Sequence, residues 1–317
     1  MDAKGRVMSI RTMISAAALS LTAWGMAGAD DALELRQSYA GHYVLPTMVG
    51  DRGPFPFILD TGANHTAILE LLAHQLDLSL RDGVPDTLYG LTGSNATVIL
   101  GVAALDFGAG PAPVERAVTI DADVNADLVA FGIIGTDAFR GQRLEIDLTE
   151  YVIRVDPDAP WDLDELEGRI SRNGMLLARG TVSGIETTFM IDTGATRSFI
   201  NRALAEEVMT GRQMQRVEVF GMGPQGGNAG EVGIGTVRFT GLCHRNVRAL
   251  ASDFPIFETL DLADEPAMIV GLDLLDQGVL RIDFANGVFT IDSSAACRRR
   301  SSSLLDRNLI YDRWGDD

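Results

Sequence analysis

Short apolar runs closed by turn residues recur along the chain in two sets, and the two sets follow the same order. Phe57-Ile58-Leu59 leads the first set and Phe189-Met190-Ile191 leads the second. Each run predicts the buried end of a strand. Each passes straight into the same tetrapeptide, Asp60-Thr61-Gly62-Ala63 and Asp192-Thr193-Gly194-Ala195. An aspartate therefore stands at the mouth of each strand, and the glycine two residues on permits a tight turn. A given tetrapeptide is expected by chance roughly once in 10⁴–10⁵ positions at average composition. Two copies 132 positions apart thus mark a duplicated unit.

The duplication continues downstream. Ala67–Ala73 and Phe199–Ala205 carry helix-period apolar positions and predict short helices. Glycine-bearing turns follow at Tyr89-Gly90-Leu91-Thr92-Gly93 and Phe220-Gly221-Met222-Gly223. Each half then has an apolar pair closed by glycine, Ile133-Ile134-Gly135 and Ile269-Val270-Gly271. Asp137 and Asp273 come two residues after these glycines and are expected to N-cap the short helix that follows. Each half ends in an alternating hairpin. Leu144–Leu148 turns into Tyr151–Val155, and Leu280–Phe284 turns through Asn286-Gly287 into Val288–Ile291. The expected architecture is all-β and bilobal, two homologous halves of about 130 residues with a few short helices.

Two aspartates at matching strand ends suit a carboxylate pair. Held within a few ångströms, such a pair cannot ionise twice cheaply, so one member keeps a proton while the other is charged. The charged member can draw a proton from a bound water, and the protonated member can donate to a developing oxyanion. Asp60 and Asp192 are the residues this assigns, with neither metal nor cofactor required. No Cys/His cluster has zinc spacing, and no phosphate loop or dinucleotide fingerprint is present. His65 and His74 have no carboxylate or cysteine partner at a telling spacing and read as ordinary histidines.

These motifs, in this order, resemble the aspartic proteases of the retropepsin and pepsin clan over most of residues 40–292. In that family a strand ends in Asp-Thr-Gly, a flap hairpin follows, and a hydrophobic-hydrophobic-Gly segment threads against the Asp-Thr-Gly loop. Alanine after the glycine resembles the retropepsin form. Both halves in one chain resemble a fused retropepsin dimer, or a minimal bacterial pepsin relative. The resemblance implies an aspartic endopeptidase acting on a polypeptide substrate, as a monomer whose halves form an internal pseudo-dimer. It implies that Thr61 and Thr193 bond across to the opposite half, and that Gly62 and Gly194 let backbone N–H groups approach the carboxylates. Flap candidates are Tyr89, Gly90 and Gly93 in the first half and Gly221 and Gly223 in the second. Which flap closes is left open. Ala63 and Ala195 lack a hydroxyl that could donate to the dyad and stabilise its charged form, so an optimum at about pH 5–7 is expected. The rival reading is a catalytically inactive member of the fold that binds peptides or proteins. Both aspartates, threonines and glycines are retained, which favours the enzyme.

The N-terminus reads as a secretory signal. Lys4, Arg6 and Arg11 precede an apolar stretch from Met13 to Trp24, and Ala27-Gly28-Ala29 fits a small-x-small cleavage pattern ending at Ala29. An uncleaved membrane anchor is the alternative, although the apolar run is short for a span. The expected organisation is a signal peptide over 1–29, lobes over 30–157 and 169–292, a Pro-bearing acidic linker over 158–168, and a flexible Ser- and Arg-rich tail over 293–317. No other stretch is long and apolar enough to span a membrane. Export, to a bacterial periplasm, is the expected location. The formal net charge of −18 argues against nucleic-acid binding, which needs a basic surface. Cys243 and Cys297 could pair in an oxidising compartment, and the sequence leaves that open.

Overall fold

A computed structural model describes residues 32–299, apart from 39, 79–82, 91–92, 102–104, 109–115, 121–129, 158–160, 163–166, 210–214, 220–226, 277 and 294–296. The expected signal segment with Ala29, and the turn holding Gly221 and Gly223, lie outside the described residues. What is described is mostly strand with a few short helices, arranged in two sheets. One sheet of nine strands belongs to the first half. The other, of fourteen, holds the second half together with three strands of the first.

Each half is built around a parallel pair. Strand Arg52–Leu59 runs beside Gly132–Ile134, with Leu59 opposite Ile134. Strand Ile185–Ile191 runs beside Ala267–Val270, with Ile191 opposite Val270. Phe57, Leu59, Phe189 and Ile191 are each at most 1% exposed. Strands covered on both faces read as unbroken apolar runs rather than alternating ones, which is the pattern seen before each aspartate. Burying one such side chain stabilises the fold by about 1.5–3 kcal/mol.

The hairpins that end the halves join the two lobes. Strand Arg143–Asp147 pairs antiparallel with Val279–Asp283, from Arg143 opposite Asp283 to Asp147 opposite Val279. Leu144, Ile146, Ile153, Leu280, Ile282 and Phe289 point from these hairpins into one apolar core shared by both halves. On their other face Glu145 accepts from Arg154 of its own half at 2.9 Å and from Arg281 of the other half at 2.9 Å. The alternation that predicted these hairpins thus also sets the register between the lobes.

Two expectations need correction. The stretches read as helical from Ala67 and Phe199 begin as strand. Ala67–Leu69 and Phe199–Ile200 are inserted in the sheets, and helices follow only at Glu70–Gln75 and Arg202–Val208. A short apolar run has no period long enough to tell the two states apart, and pairing of Ala67 with Ile133 and Val118 decides for strand. The tail expected from Ser293 is also held over part of its length. Cys297 is disulfide-bonded to Cys243, and Arg298–Arg299 pairs parallel with His244 and Arg245. No helix among the described residues is long and apolar enough to cross a membrane.

Candidate active site

Each aspartate is fixed by the strand it ends and by the strand beside it. The Asp60 N–H donates to the Ile134 carbonyl and the Asp192 N–H to the Val270 carbonyl, both at 3.0 Å. The turn that follows is tied to the segment after the glycine. Thr136 N–H donates to Ala63 O at 2.9 Å, and Leu272 N–H to Ala195 O at 2.8 Å. Gly135 and Gly271 are therefore structural. A β-carbon on either would press into the opposing loop, at the backbone of His65 in one half and of Arg197 in the other.

The threonines reach across the interface. Thr61 N–H donates to Thr193 Oγ1 and Thr193 N–H to Thr61 Oγ1, both at 3.0 Å. The hydroxyls in turn donate to main-chain carbonyls of the other half, Thr61 Oγ1 to Ile191 at 3.0 Å and Thr193 Oγ1 to Leu59 at 2.8 Å. Both threonines are at most 2% exposed. These four reciprocal bonds are shielded from water, and losing one partner would strand a buried polar group.

The glycines complete the crossing. Gly62 N–H donates to Asp60 Oδ1 and Gly194 N–H to Asp192 Oδ1, each at 2.8 Å. Ala195 N–H adds a bond to Asp192 Oδ1 at 3.1 Å. A β-carbon on Gly62 would overlap the Asp192 carboxylate, and one on Gly194 would overlap that of Asp60. Only glycine lets each loop lie against the other half's acid.

Asp60 and Asp192 hydrogen-bond to each other through their side chains. Burial, then the neighbouring Asp192 charge and the bond to it, hold the Asp60 carboxyl well above the usual carboxylate range. Burial raises Asp192 as well, but its bond with Asp60 and the N–H groups of Gly194, Ala195 and Gly62 oppose the rise. The pair shares a proton. The greater number of N–H donors around Asp192 favours the charge there and the proton on Asp60.

A second ring of contacts escaped the sequence reading. Thr66 and Ser198 each lie six residues after a dyad aspartate. Thr66 Oγ1 donates to Asp137 Oδ1 at 2.7 Å and accepts from Gly135 N–H at 3.2 Å. Ser198 Oγ donates to Asp273 Oδ1 at 2.6 Å and accepts from Gly271 N–H at 3.0 Å. Asp137 and Asp273 are thus not the expected N-caps. Gly135 and Gly271 occupy the cap positions, and the aspartates lock the glycine segment to the active loop. The matching hydroxyls six residues downstream were the available signal. His65 also has a carboxylate neighbour, with Nδ1 3.8 Å from Asp137 Oδ2.

The first flap candidate is a hairpin. Val84–Gly90 pairs with Gly93–Gly101, with Tyr89 opposite Ser94 and Gly90 opposite Gly93. Strand Val84–Gly90 lies beside helix Pro255–Thr259 of the other half. In the second half Gln215–Val219 pairs with Gly227–Phe239, and the flap candidates Gly221 and Gly223 lie between them, outside the described residues. Among the described residues no group of three or more His, Cys, Asp or Glu side chains could hold a metal ion.

A family model described as aspartyl protease matches the chain over residues 45–138 and again over 178–284. The first match contains Asp60, Thr66 and Asp137, and the second contains Asp192, Ser198 and Asp273. Among curated proteins, none matches the chain.

Proposed function

Because this chain belongs to the aspartyl protease family, we propose that it is an endopeptidase whose Asp60 and Asp192 activate one shared water against a peptide carbonyl. The observation that carries this is the dyad itself, two hydrogen-bonded carboxylates placed by bonds that cross from each half to the other. Charged Asp192 takes a proton from the water. The water oxygen bonds to the carbonyl carbon while Asp60 gives its proton to the carbonyl oxygen. Collapse of the tetrahedral intermediate returns a proton to the leaving nitrogen, and the dyad is restored without a covalent enzyme intermediate. The substrate lies as an extended strand between the lobes, under the hairpin Val84–Gly101, and is held by main-chain bonds.

The acid limb of the rate falls where both carboxyls are protonated, and the basic limb where neither is. Burial and mutual repulsion raise the dyad, and no hydroxyl follows Gly62 or Gly194 to lower it. The optimum therefore lies at about pH 5–7. We also propose export to a bacterial periplasm, with cleavage after Ala29. The Cys243–Cys297 disulfide is at home in such an oxidising compartment. The protein works as a monomer whose halves stand in for two subunits.

The test is digestion of an unfolded protein mixture by the chain from Asp30 onward. Wild type is expected to cut, a statine-type transition-state mimic to stop it, and Asp60→Asn or Asp192→Asn to lower the rate by about 10³-fold or more. Binding of the same polypeptides without cleavage would instead identify an inactive binding member of the fold. Identical product profiles from wild type and the Asn variants would remove both aspartates from the mechanism.

A further inference from the structure

The turn that leads into each half's first long strand is the same in both. Ser38 N–H donates to His42 O at 2.7 Å, Gly41 N–H to Ser38 O at 2.9 Å, and His42 N–H to Ser38 Oγ at 3.2 Å. In the second half Ser171 N–H donates to Met175 O at 2.8 Å, Gly174 N–H to Ser171 O at 3.0 Å, and Met175 N–H to Ser171 Oγ at 3.1 Å. Gly41 and Gly174 both have positive φ, at 90° and 81°. Both turns reach the opposite lobe. Gly41 sits against the Thr196 side chain, and Gly174 against Thr136 Oγ1.

The symmetry fails at the residue after the glycine. Met175 packs with Met190, Phe199 and Ile269 in an apolar cluster of its own half. His42 instead crosses to the second half, where its ring donates to the Gly194 carbonyl. Its Nδ1 is buried and meets no partner, so the donor is Nε2 and the ring is the neutral Nε2–H tautomer.

The Gly194 carbonyl shares its peptide plane with the Ala195 N–H, which donates to Asp192 Oδ1 at 3.1 Å, and the Gly194 α-carbon lies against the Asp60 carboxylate. A tilt of its peptide would move a dyad hydrogen bond and the dyad spacing together. We propose that His42 is a positioning residue of the active site, a latch from the first half that holds the Gly194 peptide of the second in the orientation the dyad needs. The inference rests on the proposed hydrolytic function for its kinetic consequence but not for its geometry.

The latch is conditional on the ring's charge. Protonated His42 would bury a second N–H with no acceptor. Burial lowers its pKa from the ordinary 6.5, and the bond to Gly194 opposes that shift. A group lowered in this way contributes stability that is present above 6.5 and lost as pH falls through the folded value. The ionisable residues on the elements it meets are Asp192 and Arg197 on the Gly194 loop, Asp60 against the Gly194 α-carbon, and Arg36 on its own hairpin. The acid limb of activity then contains a His42 protonation in addition to that of the dyad.

Two variants and one spectrum test this. His42→Met copies the residue of the other half and removes the donor. It is expected to lower kcat about 10-fold at pH 7 with KM within about 2-fold, the mark of a misplaced reacting group rather than a lost binding contact. His42→Gln keeps an N–H but cannot become a cation. It is expected to stay within about 3-fold of wild type at pH 7 and to lose less activity than wild type as pH falls. Independently of any activity, ¹⁵N spectra of the imidazole ring should show the Nε2–H tautomer and a ring still neutral below pH 6.5. Unchanged kcat in His42→Met, an unaltered acid limb in His42→Gln, or an Nδ1–H tautomer would each overturn the proposal. A wild type that cuts nothing would count against the proposed function and leave the spectrum to decide on the latch.

Discussion

In the second half the helix Arg202–Val208 starts on Asn201, whose Oδ1 accepts from Leu204 N–H at 2.9 Å and Ala267 N–H at 3.1 Å. Its amide donates to the carbonyls of Leu262 and Glu265, both at 2.7 Å. In the first half the corresponding helix Glu70–Gln75 starts on Leu69, with no side chain capping it. The second half also holds the disulfide and an Arg248–Glu231 pair whose carboxylate side chain is fully buried. The active loops differ far less. Threonine bonds, glycine N–H bonds and strand-end bonds match across the halves to within about 0.2 Å. The contrast shows where duplication had to stay symmetric. Only the two carboxylates and the loops that cross beneath them are constrained in pairs. The scaffolds behind them were free to be braced by different means.

The sharpest way to break the symmetry is at its tightest point. Gly194→Ala places a methyl group where the Asp60 carboxylate lies, and Gly62→Ala does the same to Asp192. Neither overlap can be relieved by rotating a remote side-chain end, because the atoms hit are short carboxylates held by loop N–H groups. Each variant should lower activity by about 10³-fold or more and cost about 3 kcal/mol of stability. Activity and denaturant midpoints measure both. If one alanine is tolerated and the other is not, the halves are less equal than their hydrogen bonds suggest.

Much of this symmetry is legible in the sequence, because the residues involved are contiguous and repeated. Asp60-Thr61-Gly62 and its copy form local strings with a stated turn chemistry. The alternating hairpins at 144–155 and 280–291 announced their own register. What stayed hidden depends on pairs distant in sequence. Thr66 meets Asp137 and Ser198 meets Asp273 at separations of 71 and 75 residues, so each aspartate looked locally like a helix cap. Ala67–Leu69 looked helical because its strand partners come from elsewhere in the chain. His42 precedes the first motif and has no copy at Met175, so a search for repeats passes over it. Repetition exposes what both halves share and conceals what only one of them has.

Asn201 is the place to sharpen the difference between the scaffolds. It is 2% exposed, and four of its bonds fix the helix start and the strand Ala267–Val270 that carries the Asp192 N–H acceptor. Asn201→Ala leaves those groups buried without partners and should cost about 2–3 kcal/mol. Because that strand supports the Asp192 loop, amide exchange at Asp192 and Leu204 should speed up more than at Asp60. The first half offers no equivalent substitution, since position 69 holds an uncapping leucine. Equal acceleration in both halves would mean that the lobes open as one unit.

The smallest effect compares the aspartates themselves through stability rather than activity. Both carboxyls are raised in the folded protein from an ordinary value near 3.8, Asp60 further than Asp192. A raised acid contributes stability that is fully present below the unfolded value and is lost as pH rises through the folded one. At pH 7 the unfolded chain has released both protons, so keeping one on Asp60 and a desolvated charge on Asp192 lowers the stability of the folded state. Asparagine cannot ionise, keeps an oxygen for the Gly62 or Gly194 N–H, and offers an N–H₂ donor to the remaining aspartate. Asp60→Asn should raise Tm at pH 7, Asp192→Asn should raise it less, and both gains should shrink as pH falls towards the ordinary carboxylate range. Thermal unfolding from pH 3 to 8 measures this directly. Equal gains would mean that the proton is shared evenly, and that the extra N–H donor around Asp192, from Gly62, does not bias the dyad.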